Sequence, residues 1–219
     1  MTHPVHTLIV TRGGDVPDQV LPVLADALAG GPALLPLPDG PPPLRESVIA
    51  ALRPDEPLDG EAALIVPTSG TTGEPRGVLL SAAAVRAAAE ATHTRLGGPG
   101  RWLLALPATH IAGLMVLARS VVAGTAPRAL DLRSGFDPEE FVTATARLGG
   151  NLAARRYTSL VPAQLTTLMD DADATAALAG YDAVLLGGSA APAALVEHAR
   201  EAGVNIVTTY GMTETCGGC

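Results

Sequence analysis

The sequence predicts an α/β fold with mostly parallel sheets flanked by helices. Three observations carry the prediction. Short apolar runs of strand length alternate with longer stretches of helix length. Three of those runs end in glycine-bearing loops, after Pro67, Leu186 and Thr209, and open α/β sheets gather ligands at the carboxyl ends of their strands. Hydrophobic residues make up 47% of the 219 residues, enough for an ample core.

The elements follow in order. TLIV (7–10) reads as a strand, and Pro17 to Ala29 as a helix stopped by Gly30 and Gly31. PALLPLP (32–38) is extended. DGPPPL (39–44) reads as a turn or short linker, because proline removes ladder donors. EAALIVP (61–67) is a buried strand running into a glycine loop. Ser81 is placed to cap an alanine-rich helix reaching to Leu96 and ended by GGPG. WLLALP (102–107) is a strand, Ile111 to Ala123 an apolar helix closed by Gly124, and PRALDL (127–132) another strand. Asp137, Pro138 and Glu140 have the order of a helix start: capping acid, first-turn proline, glutamate three residues on. RRYTSLV (155–161) is a strand, and Pro162 opens a helix. DAVLLGG (182–188) is a strand, Pro192 starts a helix to Gly203, and VNIVTTYG (204–211) is the last strand.

Composition excludes several function classes. The net charge of −8 argues against nucleic acid, whose backbone needs a basic face. The most apolar stretch, Trp102 to Gly124, is broken by Pro107, His110 and Arg119, so it reads as core and not as a membrane span. MTHPVHTLIV lacks the basic and apolar regions of a signal peptide. Cys216 and Cys219 are too few and too local for a disulfide framework, and a zinc site needs two more ligands. A cytoplasmic protein is expected. Self-association into a homo-oligomer is left open. All 14 basic residues are arginine.

Two motifs carry chemistry. VPTSGTTGEPRGV (66–78) has three glycines, several hydroxyls and Arg76 in one loop. It is not a Walker loop, which needs lysine after its last glycine. The physics is related: glycines let backbone N–H groups face anionic oxygens, and threonine and serine add donors. The plain alternative is a polar surface loop. In TTYGMTETCGGC (208–219), Tyr210 could stack on a base and Glu214 suits Mg²⁺, which favours oxygen ligands. The plain alternatives are a packed aromatic and a solvated carboxylate.

TSGTTGEPRG followed by YGMTE resembles the adenylate-forming acyl-CoA synthetase family. The resemblance runs from residue 60 to the end and is weak over 1–60. It implies an acyl-adenylate made from a carboxylic acid and ATP, then transfer of the acyl group to a thiol. Residue by residue, it implies that Thr68, Ser69, Gly70, Thr71, Thr72 and Gly73 wrap the β- and γ-phosphates. Arg76 stands where lysine is commoner, keeping the charge but changing its shape. Gly187, Gly188 and Ser189 lie along adenine, and Tyr210, with Gly211 and Met212 beside it, stacks on the base. Thr213 contacts the α-phosphate, and Glu214, with Thr72, holds Mg²⁺. His110 matches a position at the acyl pocket, where it positions the carboxylate or gates entry. No base is needed there, since a carboxylate is already ionised.

LPATHIAGLMVLARSVVAG, YTSLVPAQL and TTYGMTETCGGC resemble the branch of that family that joins o-succinylbenzoate to CoA in menaquinone biosynthesis. This implies a pocket of His110, Gly113, Leu114, Thr158, Ser159 and Gly187–Ser189. The second carboxylate of that acid needs a donor, for which Arg155, Arg156 and Ser159 are candidates; the plain reading of the two arginines is a solvated face. The family also implies a small C-terminal domain with a lysine that assists adenylation. The chain has no lysine, so it is expected to be the N-terminal part, with that domain absent, binding ligand but turning over little. The alternatives are a ligase for another aryl or short acyl acid, and a non-catalytic nucleotide-binding module.

Overall fold

The structure, a computed structural model, describes residues 2–56, 58–69, 75–149 and 154–218. Strands β1 (Thr2–His3) and β2 (Val5–Val10) lead into helix α1 (Val16–Leu28). After β3 (Ala33–Pro38) comes α2 (Pro42–Leu52). The expected linker is therefore a turn only at 39–41. Prolines in a first helical turn lack N–H groups that no helical carbonyl would have accepted. β4 (Leu58–Asp59), β5 (Leu64–Ser69) and β6 (Pro75–Leu80) precede α3 (Ala82–Arg95). Ser81 caps α3, its hydroxyl accepting the Ala84 N–H at 3.2 Å.

β7 (Arg101–Leu104) is followed by α4 (Ile111–Ala123), which closes at Gly124 with φ +64°. β8 (Arg128–Ala129) precedes α5 (Pro138–Arg147), where Asp137 accepts the Glu139 N–H at 3.1 Å. Then come β9 (Arg156–Leu160), α6 (Pro162–Met169), α7 (Ala172–Ala179), β10 (Ala183–Leu186), α8 (Ala193–Glu201) and β11 (Ile206–Thr208). A small antiparallel pair, β12 (Gly211–Met212) and β13 (Gly217–Gly218), brackets a 3-10 turn at Thr213–Thr215. Helix α7, strand β6 and this last hairpin go beyond the sequence reading.

The strands form two main sheets. One has the order β2-β3-β5-β6, parallel except for the β5–β6 hairpin. The other has the order β11-β10-β9-β7-β8 and is parallel throughout. Helices α1, α3 and α4 share a core with one face of each sheet, built on Leu34, Leu64, Trp102, Leu104 and Tyr157. Helix α2 covers the outer face of the first sheet, and α5 to α8 the outer face of the second. Period-two alternation sorts the second sheet: Trp102, Tyr157 and Leu185 face inward, Leu103, Leu160 and Val184 outward.

From β7 the chain steps to β8 on one side, then crosses to β9 on the other. The β7/β9 boundary is thus a topological switch point, where the loops leave in opposite directions and open a crevice. None of the described helices is long and apolar enough to cross a membrane.

Candidate active site

A cleft of about 280 Å³ opens at that crevice. Leu106, Pro107 and His110 border it after β7, Ser159 to Val161 at the end of β9, Gly187 and Gly188 after β10, and Thr209 after β11. Two side chains fix this rim. Gln164 Nε2 donates to the Ala105 carbonyl at 2.7 Å while its Oε1 accepts the Val161 N–H at 3.1 Å, tying the exits of β7 and β9 together. The N–H and Oγ1 of Thr209 both donate to the Leu186 carbonyl, at 2.8 and 3.2 Å. A Cβ on Gly187 would strike that hydroxyl, so the loops after β10 and β11 touch only because 187 is glycine.

Helix α4 forms the remaining wall. Ile111, Met115 and Arg119, each four residues on, present one face to the cleft together with Ala112. Gly113 and Leu114 point elsewhere. Leu114 is fully buried in the inner core, and a Cβ on Gly113 would run into the Pro107 carbonyl oxygen. Thr158 also lies off the cleft, because strand alternation turns it to the face opposite Ser159; its hydroxyl donates to the Leu103 carbonyl at 3.0 Å. Ser189 is exposed beyond the lining residues. His110 stands at the start of α4, exposed and bordering the cleft.

The ends of the TSGTTGEPRG motif pair with each other in antiparallel strands. Thr68 faces Arg76 and Ser69 faces Pro75 across β5 and β6, and Thr68 Oγ1 donates to the Arg76 carbonyl at 3.3 Å. Gly70, Thr71, Thr72 and Gly73 lie outside the described residues. Gly77 has a packing reason: a Cβ there would come within 2.9 Å of Leu52 on α2. Strand β6 lies against the turn at 213–215, so the hairpin and the Thr-Glu motif are neighbours.

In that turn Thr213 is half-buried and Glu214 exposed. Thr215, which the sequence reading passed over, locks the turn. Its Oγ1 accepts the Met212 N–H at 3.1 Å and lies 2.8 Å from the Gly217 carbonyl oxygen, to which it donates. Cys216 closes the turn in the left-handed region at φ 57°, with burial pushing its thiol pKa up. Tyr210 is 81% exposed, which removes the packed-aromatic alternative. Met212 is exposed too, and Gly211 pairs with Gly218. Glu214 makes no hydrogen bond or ion pair among the described residues. No cluster of three metal-binding side chains occurs among them either. An open single carboxylate fits Mg²⁺, which commonly takes one or two carboxylates and fills its other positions with phosphate oxygens and water.

The cation in the cleft is not one that charge and position had suggested. Arg155 and Arg156 stand at the opposite end of β9. At about 3.3 Å per residue, Arg156 is roughly 10 Å from Ser159. Arg155 pairs there with Asp182 at 3.8 Å. Arg119 instead lines the cleft, 3% exposed, with no carboxylate in ion-pair range among the described residues. Burial pushes its pKa down to about 10. Its guanidinium lies 5.1 Å from the centre of the Trp102 ring, and its Nε donates to Thr92 Oγ1 at 3.2 Å. The available signal was the spacing of His110, Ile111, Met115 and Arg119 along one helix face.

Residues 6–219 match the model of the AMP-binding enzyme family. The chain belongs to the AMP-binding enzyme family. It is 53% identical over 201 residues to a probable 2-succinylbenzoate–CoA ligase of Mycobacterium tuberculosis, covering 91% of this chain and 51% of that protein. It is 36% identical over 158 residues to the 2-succinylbenzoate–CoA ligase of Bacillus licheniformis, covering 71% of this chain and 31% of that one. Among solved structures, the o-succinylbenzoate coenzyme A synthetase of Bacillus subtilis in complex with ATP and magnesium superposes with a TM-score of 0.63. There the identity is 22%, over 99% of this chain and 51% of that one, which speaks for the AMP-binding fold. This chain spans about half the length of the Mycobacterium relative, and less of the Bacillus licheniformis one.

Proposed function

We propose that this chain forms the nucleotide- and acyl-binding part of an o-succinylbenzoate–CoA ligase. The observation that carries the reading is Arg119, a buried guanidinium in the wall of a largely apolar cleft, without a carboxylate partner among the described residues. A buried charge left unpaired is costly, and a substrate with a second carboxylate supplies the missing partner while its ring fills the apolar remainder. Ser159, also on the cleft, adds a hydroxyl. Family membership and the similarity to 2-succinylbenzoate–CoA ligases support the same reading.

In this scheme the β5–β6 hairpin, from Thr68 to Gly73 with Arg76, holds the β- and γ-phosphates of ATP. Gly187 to Ser189 border adenine, Tyr210 covers its face, and Thr213 donates to the α-phosphate. Mg²⁺, held by Glu214, neutralises charge on the phosphate oxygens when bound. His110 positions the reacting carboxylate, whose oxygen attacks the α-phosphorus. The bond to the bridging oxygen breaks and pyrophosphate leaves with the electron pair. The thiolate of CoA then attacks the acyl carbonyl and AMP leaves. Charge rising on the α-phosphoryl oxygens is met by donors already in place, the economical form of transition-state stabilisation.

A titration tests the reading, with o-succinylbenzoyl, benzoyl and long-chain acyl sulfamoyl-adenosines as stable adenylate mimics. Selective binding of the succinylbenzoyl form supports it. Equal binding of all three drops the substrate assignment in favour of another acyl acid, and no binding by the folded chain overturns the nucleotide site.

A further inference from the structure

Arg119 does not reach the cleft as a loose side chain. Two contacts hold its guanidinium, a hydrogen bond at Nε and an aromatic ring. Nε donates to Thr92 Oγ1 on α3 at 3.2 Å. That hydroxyl spends its own hydrogen on the Ala88 carbonyl, at 2.9 Å, so what it turns to Arg119 is a lone pair. The guanidinium carbon also lies over the Trp102 ring, 5.1 Å from its centre and within cation–π range. A hydrogen bond at Nε and an aromatic ring against the central carbon together restrict how the group can turn. The two terminal amino groups make no hydrogen bond among the described residues, and with Nε committed they are what Arg119 offers the cleft.

The Trp102 indole N–H is buried and has no hydrogen-bond partner among the described residues. The Trp102 ring lies beside Arg119 and Tyr157, the two aromatic ring centres 5.0 Å apart. Tyr157 is itself anchored through its hydroxyl to the Leu96 and Gly98 carbonyls at 3.2 and 2.9 Å. The support of Arg119 thus runs back to the end of α3 by two routes, Thr92 directly and Tyr157 through Trp102.

We propose that Thr92 and Trp102 are positioning residues that present the terminal amino groups of Arg119 as a fixed two-pronged donor, making the cleft selective for acyl groups with a second carboxylate. The inference rests on the substrate reading above. It adds that selectivity depends on residues outside the cleft lining. Two parallel N–H···O bonds to one carboxylate demand a fixed guanidinium plane, and a freely rotating arginine would give up much of that discrimination.

The test uses Thr92→Val, which keeps shape and removes the acceptor, with Thr92→Ser as the conservative rescue and Arg119→Ala as reference. In the free chain, the Arg119 Nε–H should give a slowly exchanging ¹⁵N-correlated proton signal that is lost in Thr92→Val and kept in Thr92→Ser. In titrations, Thr92→Val should weaken the succinylbenzoyl adenylate mimic by about tenfold, the order expected for one bond to a charged group, and leave the benzoyl mimic unchanged. Arg119→Ala should erase the preference altogether, while Trp102→Phe, which keeps a ring face, should retain it. If Arg119→Ala erases the preference but Thr92→Val behaves as wild type with the Nε–H signal intact, the positioning role is overturned and the substrate reading stands. If the wild-type chain shows no preference, the substrate reading fails, and the proton signal alone still decides whether Thr92 orders Arg119.

Discussion

In the five-stranded parallel sheet, the groups around the cleft are held from behind. Gln164 ties two strand exits, Thr209 ties two more, and Arg119 lies between a hydroxyl and a ring. In the four-stranded sheet, the described candidate phosphate groups lie at the end of an antiparallel pair, where Arg76 is exposed and the Thr68 hydroxyl bonds across to the Arg76 carbonyl. The difference matches what each would recognise under the proposed function. Phosphates are met by backbone N–H groups and charged side chains, which need no core behind them. An acyl group must be told from similar acyl groups, and that needs side chains with few alternative positions.

Changes behind the cleft should therefore cost folding free energy, and changes on the hairpin should cost ligand affinity alone. The largest expected effect is Gly113→Ala. Its Cβ would meet the Pro107 carbonyl oxygen, a backbone atom that cannot swing away. A loss of about 1–3 kcal/mol in urea unfolding is expected, in line with overpacking elsewhere, with weaker binding of adenylate mimics. A neutral result would mean that α4 shifts freely and that the cleft wall is not rigid.

His93 gives the intermediate case. It is buried behind the cleft, with Arg119 and Glu90 as its charged neighbours, and its Nε2 has no hydrogen-bond partner among the described residues. Burial first, then Arg119, lowers its pKa in the folded state, and Glu90 opposes this. A lowered histidine pKa means that the unfolded chain binds the proton more tightly. Stability is then unaffected above the unfolded pKa of about 6.5 and falls as pH drops below it. The fall levels off once pH passes the folded pKa, and its slope is at most about 1.4 kcal/mol per pH unit. His93→Leu should flatten this dependence in denaturant melts at pH 5 and pH 7.5. An unchanged slope would assign the acid sensitivity to other groups.

The smallest stability effect is expected for Arg76→Ala on the hairpin. Its side chain is exposed and has no ion pair among the described residues, so stability should move by less than about 0.5 kcal/mol. Affinity for ATP, measured at two salt concentrations, should fall, with a shallower salt dependence. A destabilisation as large as that of Gly113→Ala would erase the contrast between the sheets.

Most elements were legible because their signals are local. Ser81 and Asp137 announce helix starts through bonds to the first turn, and Gly124 ends α4 because only a left-handed residue fits there. Helix α2 was hidden by its opening prolines, which punctuate a turn and a first helical turn alike. β6 was hidden inside a motif whose glycines and hydroxyls speak for phosphate binding, although Gly77 is small so that Leu52 can pack on it. At the cleft, His110 and Gly187 were within reach because they flank strand exits. Leu114 and Thr158 were misplaced for want of a face: a few residues along α4, or one along β9, separates the cleft from the core.

By itself the sequence determined the alternation of strand and helix, the parallel character of the sheets, and the motifs that place this chain among AMP-binding enzymes. Each depends on residues adjacent in the chain, or on a pattern with the period of a helix or a strand. Only the tertiary structure decided the strand order that opens the crevice between β7 and β9, and the choice of Arg119 over Arg155 and Arg156 as the cation within it. The reason is physical. Which end of a strand faces a cleft, and whether a charge is buried or solvated, follow from how distant segments pack, and every arginine in a sequence carries the same charge until that packing is known.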